Sequence, residues 1–299
     1  MGINENVIYK FFSADDCSLT NLSRNQIYCN HYSAFNDPFE CWCIEKTGIP
    51  DPVREKDRYN SIVSAWGYDP GPNGADEVID YCQEFNHEFS MRVTNYIESA
   101  RFSCFCKRMD NILMWSHYAD GLRGFCLEFS RNRLKENKAI DADIYDVIYQ
   151  ESPPMVDTML YEVAKDQVWY HEMVIEEEDS YRRNLKNHVP DKLLPEYIKA
   201  LSDARKLLFD LYVKMLCYKP VEWRYEEEIR LICHTNNTDG KGIKFKYPKT
   251  ALTSIIIGEK ISDKNKQILM SILQDNRINI PINVAKRDRD NYKIVFEPL

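Results

Sequence analysis

Asn111 to Phe129 changes hydrophobic period in mid-course, which limits the chain to folds where a short helix feeds directly into a strand. Ile112, Trp115 and Ala119 recur at helical spacing, with Tyr118 beside them. Asp110 or Asn111 can serve as N-cap, and Gly121 can end the helix in a left-handed conformation. From Gly124 onward Phe125, Leu127 and Phe129 alternate with Cys126 and Glu128, the period of a strand. Polar side chains of both elements converge near the turn, a suitable place for a pocket.

The same two periods recur on either side. Val7–Phe12, Gln26–Asn30, Phe102–Cys106, Ile144–Tyr149, Gly242–Tyr247 and Thr253–Gly258 read as strands. Ile278, Ile280, Ile282 and Val284 alternate too, and Pro281 assigns that strand to a sheet edge. Ser13 with Asp16 resembles a capping box for a short helix through Leu22. Thr47–Gly74, rich in Pro, Gly and charge, is expected to be an irregular excursion, and Asp76–Ile97 a helix of about six turns. Residues 153–217 turn helical, with the best helix over about Pro195–Cys217 and Pro195 in its first turn. The expectation is one α+β domain over residues 1–299, with a mixed, mainly antiparallel central sheet and a helical insertion at about 153–217.

Composition narrows the function classes. A net charge of -8 argues against bulk attraction to nucleic-acid phosphates. Met1–Asn6 is polar and no apolar run is long enough to span a bilayer, so a soluble cytoplasmic protein is expected, without membrane association. Ten cysteines include the C-x-C pairs Cys41/Cys43 and Cys104/Cys106. That spacing places both thiols on one strand face and is not the C-x-x-C of zinc sites, so buried free thiols are expected. P-loop, G-x-G-x-x-G, H-E-x-x-H and G-x-S-x-G motifs are missing, which disfavours the chemistries they serve.

Three places carry candidate site residues. The turn Ser33–Glu40 contains Asn-Asp-Pro, whose side chains cap their own backbone and present Asn36, Asp37 or Glu40 on a rigid loop. Tyr218–Cys233 alternates Glu226, Glu228 and Arg230 on one strand face, a charged stripe that must be either paired or solvated. His117 stands out through its neighbours Trp115 and Tyr118, although a lone His beside Trp is commonly a packed residue.

Together, N-D-P-F-E (Asn36–Glu40), M-W-S-H-Y-A-D (Met114–Asp120) running to G-F-C-L-E-F (Gly124–Phe129), and W-R-Y-E-E-E-I-R (Trp223–Arg230) resemble a bacterial family, domain of unknown function 2971. The opening Y-K-F (Tyr9–Phe11) fits the same pattern. The resemblance implies a bacterial stress or phage-defence role and brings no agreed activity. The layout is also similar to ADP-ribosyltransferase-like folds, which implies an NAD substrate. There Glu228 or Glu226 would stabilise an oxocarbenium-like ribose and Tyr118 or Trp115 would stack on nicotinamide. Lys10 stands where those folds carry His or Arg, and no matching second-strand Ser or Tyr follows.

Two other classes compete. Asp37, Glu40, Glu128 and Glu228 could surround a divalent cation in a magnesium-dependent hydrolase or nuclease, with Lys107, Arg108 and Arg123 as a local basic strip. The same polar residues could instead fix a small molecule or nucleotide in a non-enzymatic ligand-sensing module. The residues themselves specify no resident cofactor, metal or protein partner.

Overall fold

Period-two alternation in the sequence becomes an eight-stranded sheet in the computed structural model, which describes residues 6–67, 74–85, 92–136, 142–185, 189, 191–237 and 239–299. The elements in chain order are β1 (Val7–Phe12), α1 (Asp16–Ser23), β2 (Gln26–Cys29), β3 (Ile44–Lys46), α2 (Lys56–Trp66), α3 (Gly74–Glu84) and α4 (Val93–Ser99). Then come β4 (Ala100–Cys106), α5 (Ile112–His117), β5 (Phe125–Ser130), α6 (Arg131–Leu134), β6 (Ala142–Asp146), β7 (Ile148–Gln150), β8 (Met155–Asp157) and α7 (Thr158–Asn184). The chain closes with α8 (Leu194–Leu216), β9 (Tyr218–Pro220), β10 (Glu228–His234), β11 (Ile243–Lys246), β12 (Leu252–Gly258), α9 (Asp263–Asp275), β13 (Ile282–Arg287) and β14 (Ile294–Pro298).

Two compact units divide these elements. The first comprises Met1–Cys41, Glu98–Ser152 and Lys219–Leu299; the second comprises Trp42–Ile97 and Pro153–Tyr218. The first holds the large sheet, in the order β14-β13-β12-β5-β1-β4-β10-β6, antiparallel except where β12 meets β13. The mixed, mainly antiparallel sheet expected from the sequence is thus present. One sheet face buries Ile8, Phe105, Leu127, Phe129, Ile229 and Leu231 with α1 and α9 residues, and the other buries Phe11, Trp115, Cys126 and Ile256. Gly124 opens β5 against β1 so closely that a Cβ there would sit 2.0 Å from the Phe12 carbonyl oxygen.

One irregularity of this sheet positions the site. β1 pairs with β5 at six consecutive positions but with β4 at Tyr9–Cys106 alone. Past Tyr9 the two strands part. Lys10 reaches across, and its Nζ donates to the Cys104 carbonyl at 2.9 Å.

The second unit is mostly helical. Arg58 on α2 donates to the Asp157 carboxylate, which also caps α7 by accepting from the Met159 and Leu160 amides. Ile62, Val78, Cys82, Met159 and Val163 form its buried cluster. None of the ten cysteines is joined in a disulfide.

Several local expectations change. Asp15, not Ser13, caps α1, accepting from the Ser18 amide at 2.7 Å. The excursion Thr47–Gly74 contains α2, because its Pro and Gly residues flank a run with Tyr59, Ile62, Val63 and Trp66 at helical spacing and do not interrupt it. The long helix expected over Asp76–Ile97 is described as α3 and α4, and Phe89 lies outside the described residues. Gly121 is left-handed, as anticipated, but it sits in a turn beyond α5, which ends at His117. Pro281 does not mark an edge, since β13 is the penultimate strand and Pro281 precedes its first residue, where a missing amide costs no ladder bond.

Candidate functional site

In the first unit a cavity of about 440 Å³ lies where β1 and β4 separate. Its walls combine Tyr9, Lys10 and Phe11 of β1, Phe102–Phe105 of β4, Tyr28 and Asn30, and Phe35 and Asn36 of the Asn-Asp-Pro turn. Met114, Tyr118, Lys219, Glu226 and Glu228 complete it. Such a lining, aromatic with a few charged groups, is typical of small-molecule sites in size and chemistry.

The charged stripe expected over Glu226–Arg230 is neither exposed nor continuous. Val221–Glu226 forms a 3-10 turn, Glu227 adopts φ of 44°, and only Glu228 and Arg230 lie on β10. Glu226 still joins them, because Lys219 binds both carboxylates, at 2.6 Å to Glu226 and 3.0 Å to Glu228. Arg230 donates through Nε to Glu228 at 2.8 Å and through Nη1 to Glu40 at 2.6 Å. Tyr118 donates its hydroxyl to Glu226 at 2.6 Å, and the Glu228 amide donates to the Tyr149 hydroxyl at 2.8 Å. Every member of the ionic cluster is buried, Glu228 to 2% exposure and Arg230 to 1%.

Ionisation follows from this pairing. Burial alone would raise the Glu228 carboxyl, but Arg230 and Lys219 outweigh it and hold the group down at about 2. Lys219 is likewise desolvated, yet Glu228 and Glu226 keep its ammonium charged well beyond the ordinary lysine range. Glu40 goes the other way: desolvation raises it despite Arg230. Its Oε2 is buried without a hydrogen-bond partner among the described residues. The cluster therefore has three carboxylates for two cations, and Glu40 is the least stabilised of them. Lys10 is lowered by burial, with its Nζ 5.4 Å from the Phe105 ring centroid and 5.5 Å from that of Phe12.

Five of the residues singled out in the sequence, Lys10, Asn36, Tyr118, Glu226 and Glu228, line the cavity. Arg230 and Glu40 belong to its ionic cluster. Asp37 is buried beside the turn it shapes, accepting from the Phe39 amide at 2.9 Å, with Oδ2 unpartnered among the described residues. Three others lie elsewhere. Trp115 is 1% exposed in the apolar cluster, edge-on to Phe11, with its indole donating to the Met109 carbonyl at 2.7 Å. His117 is exposed, with its ring 6.3 Å from that of Tyr225. Glu128 accepts from Thr253 Oγ1 at 2.8 Å and lies by Tyr9, whose phenol is raised by burial and by Glu128.

Sequence reading missed Lys219, Tyr149 and Ser103. Lys219 stands just after the long helix and carried no periodic signal. Ser103 is 2% exposed on the cavity wall, and its hydroxyl has no partner among the described residues. The four carboxylates considered for a cation are not gathered: Glu128 is apart, and Glu228 and Glu40 are bound by Arg230. Among the described residues no group of three or more His, Cys, Asp or Glu is placed to hold a metal.

Residues 114–231 match the model of a family described as Protein of unknown function (DUF2971). The family resemblance holds over that stretch. It spans Tyr118, Lys219, Glu226, Glu228 and Arg230, hence most of the ionic cluster, together with α7 and α8. No curated protein and no solved structure matches the chain. No helix among the described residues is long and apolar enough to cross a membrane.

Proposed function

We propose that the cavity of the first unit binds a nicotinamide nucleotide and that Glu228 supports cleavage of its glycosidic bond. The observation that carries this reading is the placement of Glu228. A carboxylate that stays ionised across the physiological range lines an aromatic cavity and is buried from bulk water. In such a medium a fixed negative charge stabilises a developing cation far more than it would in solution. In the reaction the bond between ribose C1′ and the nicotinamide nitrogen breaks, and its electron pair leaves with neutral nicotinamide. The cationic ribose is stabilised by Glu228, then receives oxygen from water or a protein nucleophile, with release of one proton. Tyr118 supplies an aromatic wall, held by its bond to Glu226. Lys10, also in the lining, supplies an amine for a phosphate.

One observation favours a second reading, a ligand-sensing pocket without turnover. Both carboxylate oxygens of Glu228 already accept from Lys219 or Arg230, which disperses its charge. Nicotinamide release from NAD, followed chromatographically, separates the two. Turnover by the wild type that falls about 100-fold or more in a folded Glu228→Gln protein is the expected result. NAD binding with no release of nicotinamide would leave the sensing module as the function of this pocket. Absence of both would remove the nucleotide reading.

A further inference from the structure

The second unit contains its own cavity, about 590 Å³, between α2, α7 and α8. Small side chains at facing positions create it: Ser61, Ser64 and Ala65 on α2, and Ala200 and Ala204 on α8. Close-packed helices would fill such positions, so the space is a feature of the sequence.

Its polar groups point to a ligand. His171 lines the cavity, is 8% exposed, and has Nδ1 buried with no hydrogen-bond partner among the described residues. Burial lowers its pKa, so the neutral imidazole offers one donor and one acceptor at neutral pH. Tyr170 and Tyr197 fix the ring, with centroids 5.1 and 5.9 Å away. Trp66 also lines the cavity, and its indole is braced by Tyr81, stacked at 4.4 Å and 12°. Tyr81 in turn donates to Asp166 at 2.6 Å. Asp203 adds an exposed carboxylate to the lining, which contains no lysine or arginine.

We propose that this cavity is a second binding site, for an uncharged planar heteroaromatic amine of the nucleobase or nucleoside class. Its ring lies between Trp66 and the His171 imidazole, and its amine meets the Asp203 carboxylate. A phosphate would meet a carboxylate and no cation here, so phosphorylated forms are excluded by charge. The first-unit cavity differs in carrying Lys10 and Lys219 beside Glu226 and Glu228 in its lining. The inference therefore stands independently of the function proposed above.

Isothermal titration of the full chain with the common nucleosides and their 5′-monophosphates tests it. At least one nucleoside should bind, its monophosphate at least tenfold more weakly. His171→Phe should weaken nucleoside binding tenfold or more, and Ala200→Phe, which adds a ring to the cavity lining from α8, serves if that variant does not fold. Asn36→Trp, at the rim of the first-unit cavity, should leave nucleoside binding unchanged. No nucleoside binding at millimolar concentration overturns the proposal. So does binding that survives His171→Phe or, where that variant does not fold, Ala200→Phe, binding lost in Asn36→Trp, or a monophosphate that binds as well as its nucleoside.

Discussion

Adjacent strands β10 and β6 each carry a carboxylate held between one lysine and one arginine. Glu228 accepts from Lys219 at 3.0 Å and Arg230 at 2.8 Å; Asp146 accepts from Lys107 at 2.6 Å and Arg131 at 2.9 Å. Register brings them close, since Ile229 pairs with Asp146. What differs is the medium: the Glu228 side chain is 2% exposed and that of Asp146 45%. The two sites therefore ask how far burial alone turns the same connectivity from a surface ornament into a requirement of the fold. A buried charge that loses its partner cannot turn to water, whereas an exposed one can.

The largest expected effect is on stability. Glu228→Gln leaves Lys219 and Arg230 with less compensating charge and should cost about 3–5 kcal/mol of unfolding free energy. Asp146→Asn should cost less than about 1 kcal/mol, because its ion pairs are solvated and screened. Urea unfolding of both variants measures the contrast. Equal costs would mean that burial is not what distinguishes the sites.

Acid titration sharpens the same contrast. The folded-state pKa of Glu228, about 2, lies below the ordinary 4.5, so its stabilisation is fully present above 4.5 and is lost as pH falls from 4.5 through about 2. Glu40 is shifted upward, so it favours the folded state at low pH and opposes it as pH rises through its folded pKa. Wild-type stability should drop across the window from 4.5 to 2, and Glu228→Gln should flatten that drop. A profile in which Glu228→Gln keeps the full acid slope would assign the transition to other carboxylates.

How much of this was legible in the sequence depends on periodicity. The sheet was legible because its strands alternate, and Glu228 with Arg230 was found for the same reason. Glu226 was assigned to that strand because nothing at Glu227 announces a left-handed residue; no Gly or Asn marks φ of 44°. Lys219 was invisible, since a three-residue strand after α8 has no period to read. Trp115 is a candidate stacking face in the sequence, yet the indole N–H finds the Met109 carbonyl and lets the ring be buried whole. Separation of β1 from β4 depends on pairing partners far apart in the chain, which no local pattern reports.

A smaller effect probes the imbalance within the buried cluster. With three carboxylates against two cations, removing one negative charge should be tolerated where it is least stabilised. Glu40→Gln keeps an acceptor for Arg230 Nη1 and removes a charge that burial disfavours. Its cost at neutral pH should lie within about 1 kcal/mol, well below that of Glu228→Gln. A cost equal to that of Glu228→Gln would show that Arg230 depends equally on its two carboxylates.

Salt produces the smallest change and separates the two sites most directly. The Debye length shrinks from about 10 Å at 0.1 M to about 3 Å at 1 M, which screens charges that water and ions can reach. Lys107, Arg131 and Asp146 are all at least a quarter exposed, so the cost of Asp146→Asn should shrink toward zero in 1 M sodium chloride. Lys219, Glu228 and Arg230 are at most 4% exposed, so ions cannot enter between them and the cost of Glu228→Gln should stay the same. Urea is the denaturant for this comparison, since guanidinium is itself a salt. If the Glu228 cost also shrank in salt, ions would have to reach the cluster through the cavity it lines, and the charge assigned to catalysis would act in a wet pocket.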